Sequence, residues 1–102
     1  MKLTINAQVY DTQKATPVAK SANEGASKLR SVVETLYRSR NGNWFLHGKG
    51  GALTEYAQQR AETITSGERI EPMTEDEALD WCEIHMAQAA IERHFGHMLE
   101  DA

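Results

Sequence analysis

The twenty residues from Val32 to Gly51, VVETLYRSRNGNWFLHGKGG, constrain the fold more than any other stretch of this chain. Two apolar runs flank Asn41-Gly42, and both of those residues tolerate the positive φ of a tight type I′ turn, so the pattern predicts a β-hairpin whose register is set there. Val33, Thr35 and Tyr37 alternate with Val32, Glu34, Leu36 and Arg38, and in the second arm Trp44 and Leu46 alternate with Phe45 and His47. Neither face is wholly polar. A sheet with large apolar groups on both sides covers one face with a helix and leaves the other to a partner or a neighbouring loop. Gly48, Gly50 and Gly51 are expected to release the chain into a bend. They do not form a phosphate cradle, because no GxxxxGK[ST] pattern is present.

Before the hairpin, Leu3, Ile5, Ala7 and Val9 share one face of an alternating run, which predicts a single half-buried strand to Tyr10. From Asp11 to Ser27, Thr, Ser, Lys, Ala and Gly surround Pro17, the composition of a mobile, irregular connection or of a poorly formed strand near Val18. After the hairpin, Leu53 to Ala61 reads as a short helix capped by Thr54, and Glu68 to Met73 as a last strand limited by Pro72. Thr74 then opens the clearest helix. Glu75, Asp76 and Glu77 follow it, and Glu77 stands at the capping-box position. Ala78, Leu79, Trp81, Cys82 and Ile84 supply an apolar side that should cover the sheet, and Gly96 is a candidate helix stop. Periodicity alone leaves open whether the chain from Trp81 to Phe95 is one helix or two.

These elements predict a single α+β domain spanning residues 1–102. An antiparallel sheet of three to four strands is centred on the hairpin and packed by C-terminal helices, with Trp44, Leu46, Leu79 and Trp81 in or near the core. One free Cys82 and the lack of an apolar leader point to a cytoplasmic setting, and no apolar run approaches the ~20 residues of a membrane span. The formal net charge is -4, but it is unevenly placed: residues 1–50 carry eight Lys/Arg and three Asp/Glu, residues 51–102 three and twelve. The two halves are expected to neutralise each other in the fold; the other reading is a surface for an oppositely charged partner.

Four motifs bear on chemistry. Cys82, His85, His94 and His97 have the i, i+3 pairing of a zinc site, but on a continuous helix the two pairs stand about 18 Å apart, so no metal is expected. His47 with Glu34 or Glu55 offers an acid/base pair without a nucleophile, and no catalytic residue or cofactor is assigned. Arg38, Arg40 and Lys49 beside Tyr37 and Trp44 interleave cations with aromatics as single-strand binders do, and the competing reading is a charged hairpin tip that protects an edge. Glu68, Glu71, Glu75, Asp76, Glu77, Asp80 and Glu83 are denser than helix capping needs. Such a series either solvates a helix face or imitates nucleic-acid phosphates before a cationic groove.

Leu36-Tyr37-Arg38, Gly42-Asn43-Trp44-Phe45-Leu46-His47-Gly48, Gly50-Gly51-Ala52, Tyr56-Ala57, and Thr74-Glu75-Asp76-Glu77-Ala78 with Trp81 together resemble a small-protein family of prophages and other mobile elements. The resemblance spans residues 33 to 96 or so and implies two C-terminal helices with a break near His85 to Ala87. The chain departs from the family pattern at Lys49, at the shortened Ser66-Gly67 segment and in lacking a polar cap for the second helix. In size and charge it is also similar to anti-CRISPR proteins. The function this implies is a non-enzymatic inhibitor that binds a host protein or ribonucleoprotein complex, a CRISPR effector being the candidate, and blocks its nucleic-acid recognition. Glu71, Glu75, Asp76, Asp80, Glu83, Tyr37, Arg38 and Arg40 are the candidate contact residues. The alternative is a small nucleic-acid-binding or regulatory module that uses the basic hairpin.

Overall fold

The computed structural model describes residues 1–23 and 27–102. The strands are β1 (Lys2–Ile5), β2 (Gln8–Asp11), β3 (Thr16–Asn23), β4 (Val32–Arg38), β5 (Trp44–Gly50), β6 (Gln58–Arg60), β7 (Thr63–Thr65) and β8 (Gly67–Met73). Two helices follow, α1 (Glu75–Ile84) and α2 (Gln88–Phe95), and a 3-10 turn over Gly96–Met98. The fold is α+β. Its main sheet is antiparallel with strand order β3-β4-β5-β8, and β1-β2 and β6-β7 form separate two-stranded ribbons.

The central hairpin pairs Arg38 with Trp44 and Leu36 with Leu46. Its turn is not the expected two-residue type I′ turn. Ser39 N–H donates to the Asn43 carbonyl at 2.8 Å, Gly42 N–H donates to the Ser39 carbonyl at 3.0 Å, and Gly42 alone in the loop has positive φ, at 83°. That is the pattern of a three-residue loop, a type I turn closed by one left-handed glycine. The two-residue turn lies instead at Asn6-Ala7, with φ of 52° and 64°, where Ile5 pairs with Gln8. The single strand expected from Leu3 to Tyr10 is therefore itself a hairpin. An alanine at the second turn position hid it, since glycine is the residue that signals this geometry.

Of the two alternatives for the stretch around Val18, the structure has the strand: an eight-residue edge strand interrupted by a register shift between Pro17 and Ala19, a position where a missing N–H is tolerated. Residues 24–26, at the far end of the expected irregular connection, lie outside the described residues. A further expectation is corrected. Gln58 to Thr65 form a ribbon in place of the helix expected over Leu53 to Ala61, and Ala61 reverses the chain with φ 53°. Thr54 still caps locally: its hydroxyl donates to the Gly51 carbonyl at 2.8 Å and accepts from Tyr56 N–H at 3.2 Å.

Alternation sends Leu36, Trp44 and Leu46 to one side of the sheet, where they meet Ala78, Trp81 and Cys82 of α1 and Ile91 and Phe95 of α2. Phe95 stacks on Trp44 with centroids 4.8 Å apart. Leu79 is half-buried at the margin of this core. On the opposite side, Phe45 and Ile70 pack with Tyr10 of the N-terminal hairpin, and Tyr37 stacks on Phe45 at 5.2 Å. The second apolar face is thus covered by β1-β2, the neighbouring segment that two-sided hydrophobicity requires.

Thr74 and Glu77 form the reciprocal capping box, with bonds of 3.1 and 2.9 Å, an arrangement worth about 1 kcal/mol. The C-terminal segment is two helices. Ala87 N–H donates to the Cys82 carbonyl and Met86 N–H to the Glu83 carbonyl, the two bonds of a Schellman stop, with Met86 left-handed at φ 54°. Gly96 does not play that part at the second terminus, because it is right-handed and continues into the 3-10 turn.

Candidate functional site

A part-buried polar cluster is centred on Glu34. Its side chain, 13% exposed, points to the helical side, where one carboxylate oxygen accepts from Trp81 Nε1 at 3.1 Å and the other accepts a short bond from the Tyr56 hydroxyl. His85 stacks on Trp81 with centroids 4.4 Å apart and places Nε2 3.6 Å from Glu34. Arg69 covers the Tyr56 ring at 4.8 Å. Burial, the Glu34 bond, and the Glu34 and Glu55 charges push the Tyr56 phenol well above its ordinary pKa, with Arg69 opposing, so it remains a donor. Gly48 leaves the space for it: a Cβ there would run into the Tyr56 ring. This corrects the expected bend, since Gly48 and Gly50 are paired residues of β5. Both Glu34 oxygens are engaged by structural donors, and the cluster ties sheet, loop and α1 together.

His47 lies on the other side of the sheet and meets Glu68 at 2.8 Å, so the sheet separates it from Glu34. The cysteine and histidine motif is dispersed. Cys82 is buried in the core, where desolvation raises its thiol pKa; His94 stands edge-on to Trp44; and His97 reaches Glu75 at 3.1 Å. Among the described residues no three His, Cys, Asp or Glu side chains gather as metal ligands.

The acidic series separates into three groups. Glu68 and Glu75 hold histidines, and Glu77 is spent on the cap while remaining exposed. Asp76, Asp80 and Glu83 are exposed along one stripe of α1, as their i, i+4, i+7 spacing dictates, and Glu71 is exposed on edge strand β8. Past the end of the stripe stand Ile84, 75% exposed, and Met86, 84% exposed. Sequence reasoning placed Ile84 on the buried side. Helix α1 carries no basic residue in its last turn.

The hairpin candidates do not form one patch. Tyr37 is half-buried against Phe45; Arg38 lies on the helical side, 5.3 Å over the Trp44 ring; Arg40 is exposed at the tip; Lys49 stands at the opposite end of β5. Arg40 instead joins Lys2 and Lys14 around a cleft of about 680 Å³ between the N-terminal hairpin and the β4-β5 loop. A second cleft of about 790 Å³ brings Lys28, Lys49 and Arg60 together. The first opens on the face opposite the helices, where Tyr10 packs on Phe45. Sequence reasoning missed these groupings, because they depend on where the β1-β2 ribbon folds across the sheet.

The basic and acidic halves of the chain meet at Lys49 and Glu68, paired positions of β5 and β8. Among the described residues the three close contacts between a basic and an acidic side chain use histidine, and no Lys or Arg among them stands within 4 Å of a carboxylate. Among the described residues no helix is long and apolar enough to cross a membrane. No protein-family model, curated protein or solved structure matches the chain.

Proposed function

We propose that this protein is a non-enzymatic inhibitor of the kind carried by phages and mobile elements. It docks the outer face of α1 into a cationic groove of a host nucleic-acid-handling complex, with a CRISPR effector as the candidate, and so blocks nucleic-acid recognition. The observation that carries the reading is the cost of that face to folding. Asp76 and Asp80 repel each other at i, i+4, a penalty of about 0.2–0.5 kcal/mol for such a pair, and Glu83 sits at the negative end of the helix dipole with no cation beside it. Ile84 and Met86 extend the same end into solvent. Folding favours Asp76, which stands in the first turn at the positive end of the helix dipole, but neither Glu83 nor the two exposed apolar groups. A basic groove favours all of the carboxylates, and a desolvated rim favours the two apolar groups. Glu71 belongs to this surface; Glu75 does not, because His97 holds it.

The test is association with a purified CRISPR effector, measured by biolayer interferometry for wild type and Asp76→Lys/Asp80→Lys. Thr74 and Glu77 stay intact, so the cap and the fold are preserved. The double reversal should slow association by about tenfold or more, and wild-type association should weaken as salt rises. Equal binding by a normally folded double variant overturns the reading.

A further inference from the structure

We propose that the cleft between the N-terminal hairpin and the β4-β5 loop binds phosphate groups, those of a single-stranded nucleic acid or of a nucleotide. Three cations, Lys2, Lys14 and Arg40, line it against one carboxylate, Asp11. None of the three has a carboxylate within ion-pair distance among the described residues. Asp11 serves its own turn: one carboxylate oxygen accepts Gln13 N–H at 2.9 Å, and its carbonyl accepts the N–H groups of Lys14 and Ala15. That turn is what presents Lys14 to the cleft.

The two walls are fixed to each other before any ligand arrives. Asn43 Nδ2 donates to Gln8 Oε1 at 2.9 Å across them, and beneath them Tyr10 meets Phe45 edge-on at 5.4 Å. A site held in this way loses little entropy on binding. Three converging cations, one of them a guanidinium with a bidentate fork, suit a ligand with several acceptor oxygens and more than one negative charge, which is the chemistry of phosphates. The volume, about 680 Å³, lies in the range of small-ligand pockets and accommodates about one nucleotide unit. The cleft lies on the opposite side of the sheet from the acidic helix, so the two surfaces can be occupied independently.

Two probes test the site: sodium tripolyphosphate by calorimetry, and a fluorescein-labelled single-stranded oligouridylate by anisotropy, each at low and physiological salt. Wild type should bind, and Lys2→Gln/Lys14→Gln/Arg40→Gln should lose about tenfold or more in affinity with a flatter salt dependence. Arg93→Gln on α2 should bind as wild type does, and so should Asp76→Lys/Asp80→Lys, which separates this site from the acidic face. Melting curves establish that each variant is folded. Binding of tripolyphosphate alone assigns a small phosphorylated ligand, and salt-dependent binding of the oligonucleotide assigns a strand. Absence of binding of both probes to wild type, or equal binding by the folded triple variant, overturns the proposal.

Discussion

Gly42 shows how a residue can be legible in a sequence while its geometry is not. Its positive φ follows from the residue type, but the loop in which it sits has three residues rather than two, because Ser39 and Asn43 add one more hydrogen-bonded pair beyond Arg38 and Trp44. The space beside Gly42 is open enough for a Cβ, which would meet Arg38 at an ordinary 3.5 Å, so the constraint is φ alone. Gly42→Val should therefore destabilise the fold by about 1–2 kcal/mol, read as a lower denaturation midpoint at unchanged slope. His94 carries a second consequence at this scale. Burial first, and then the charges of Arg38 and Arg93, depress its pKa below 6.5. The unfolded chain then binds the proton more readily than the folded one, so this contribution to stability is present above pH 6.5 and is lost as pH falls through the depressed value. Between pH 7 and 5 the melting temperature of wild type should drop more steeply than that of His94→Asn. Parallel pH profiles would refute the assignment.

Elements with strong local signals were readable, and those defined by an unusual residue at a special position were not. The Thr74 capping box and the alternation of β4 and β5 each announce themselves, and of the two occupants expected for the second apolar face, a partner or a neighbouring loop, a neighbouring segment of the chain, the β1-β2 hairpin, is the one found there. The β1-β2 turn was hidden, and the helix break, expected near His85 to Ala87 from the family resemblance, was left open by periodicity, for one shared reason: Ala7 and Met86 occupy left-handed positions that glycine usually marks. The cationic cleft was invisible because Lys2, Lys14 and Arg40 come from three separate segments brought together by that unrecognised turn. At Met86 the Schellman bonds are complete while the residue is strained, and its side chain is almost fully in solvent. Met86→Gly should raise stability by up to about 1 kcal/mol through relief of the left-handed strain. If Met86 also belongs to the docking surface, the same variant should bind the effector more weakly although it melts at a higher temperature. Lower stability together with unchanged binding would remove both the strain and the contact from consideration.

At the scale of the molecule, the uneven charge of the sequence becomes a difference between two sides of a thin plate, whose extents are 50 × 35 × 19 Å. Lys2, Lys14 and Arg40 line the cleft on one side, and the exposed carboxylates of α1 crowd the other. At physiological ionic strength the Debye length is ~8 Å, so attraction across the 19 Å thickness is largely screened, whereas repulsion between neighbours within one face is not. No Lys or Arg is close enough to a carboxylate, among the described residues, to offset that repulsion by direct pairing. Stability should therefore hold or rise as sodium chloride is added from low to moderate concentration, since screening relieves the like-charge terms and leaves the aromatic core around Trp44, Trp81 and Phe95 untouched. Thermal melts across a salt series at neutral pH check this directly. A melting temperature that falls steadily with salt would mean that attraction between the two faces, rather than repulsion within each, dominates the electrostatics, and the independence of the two proposed binding surfaces would fail with it.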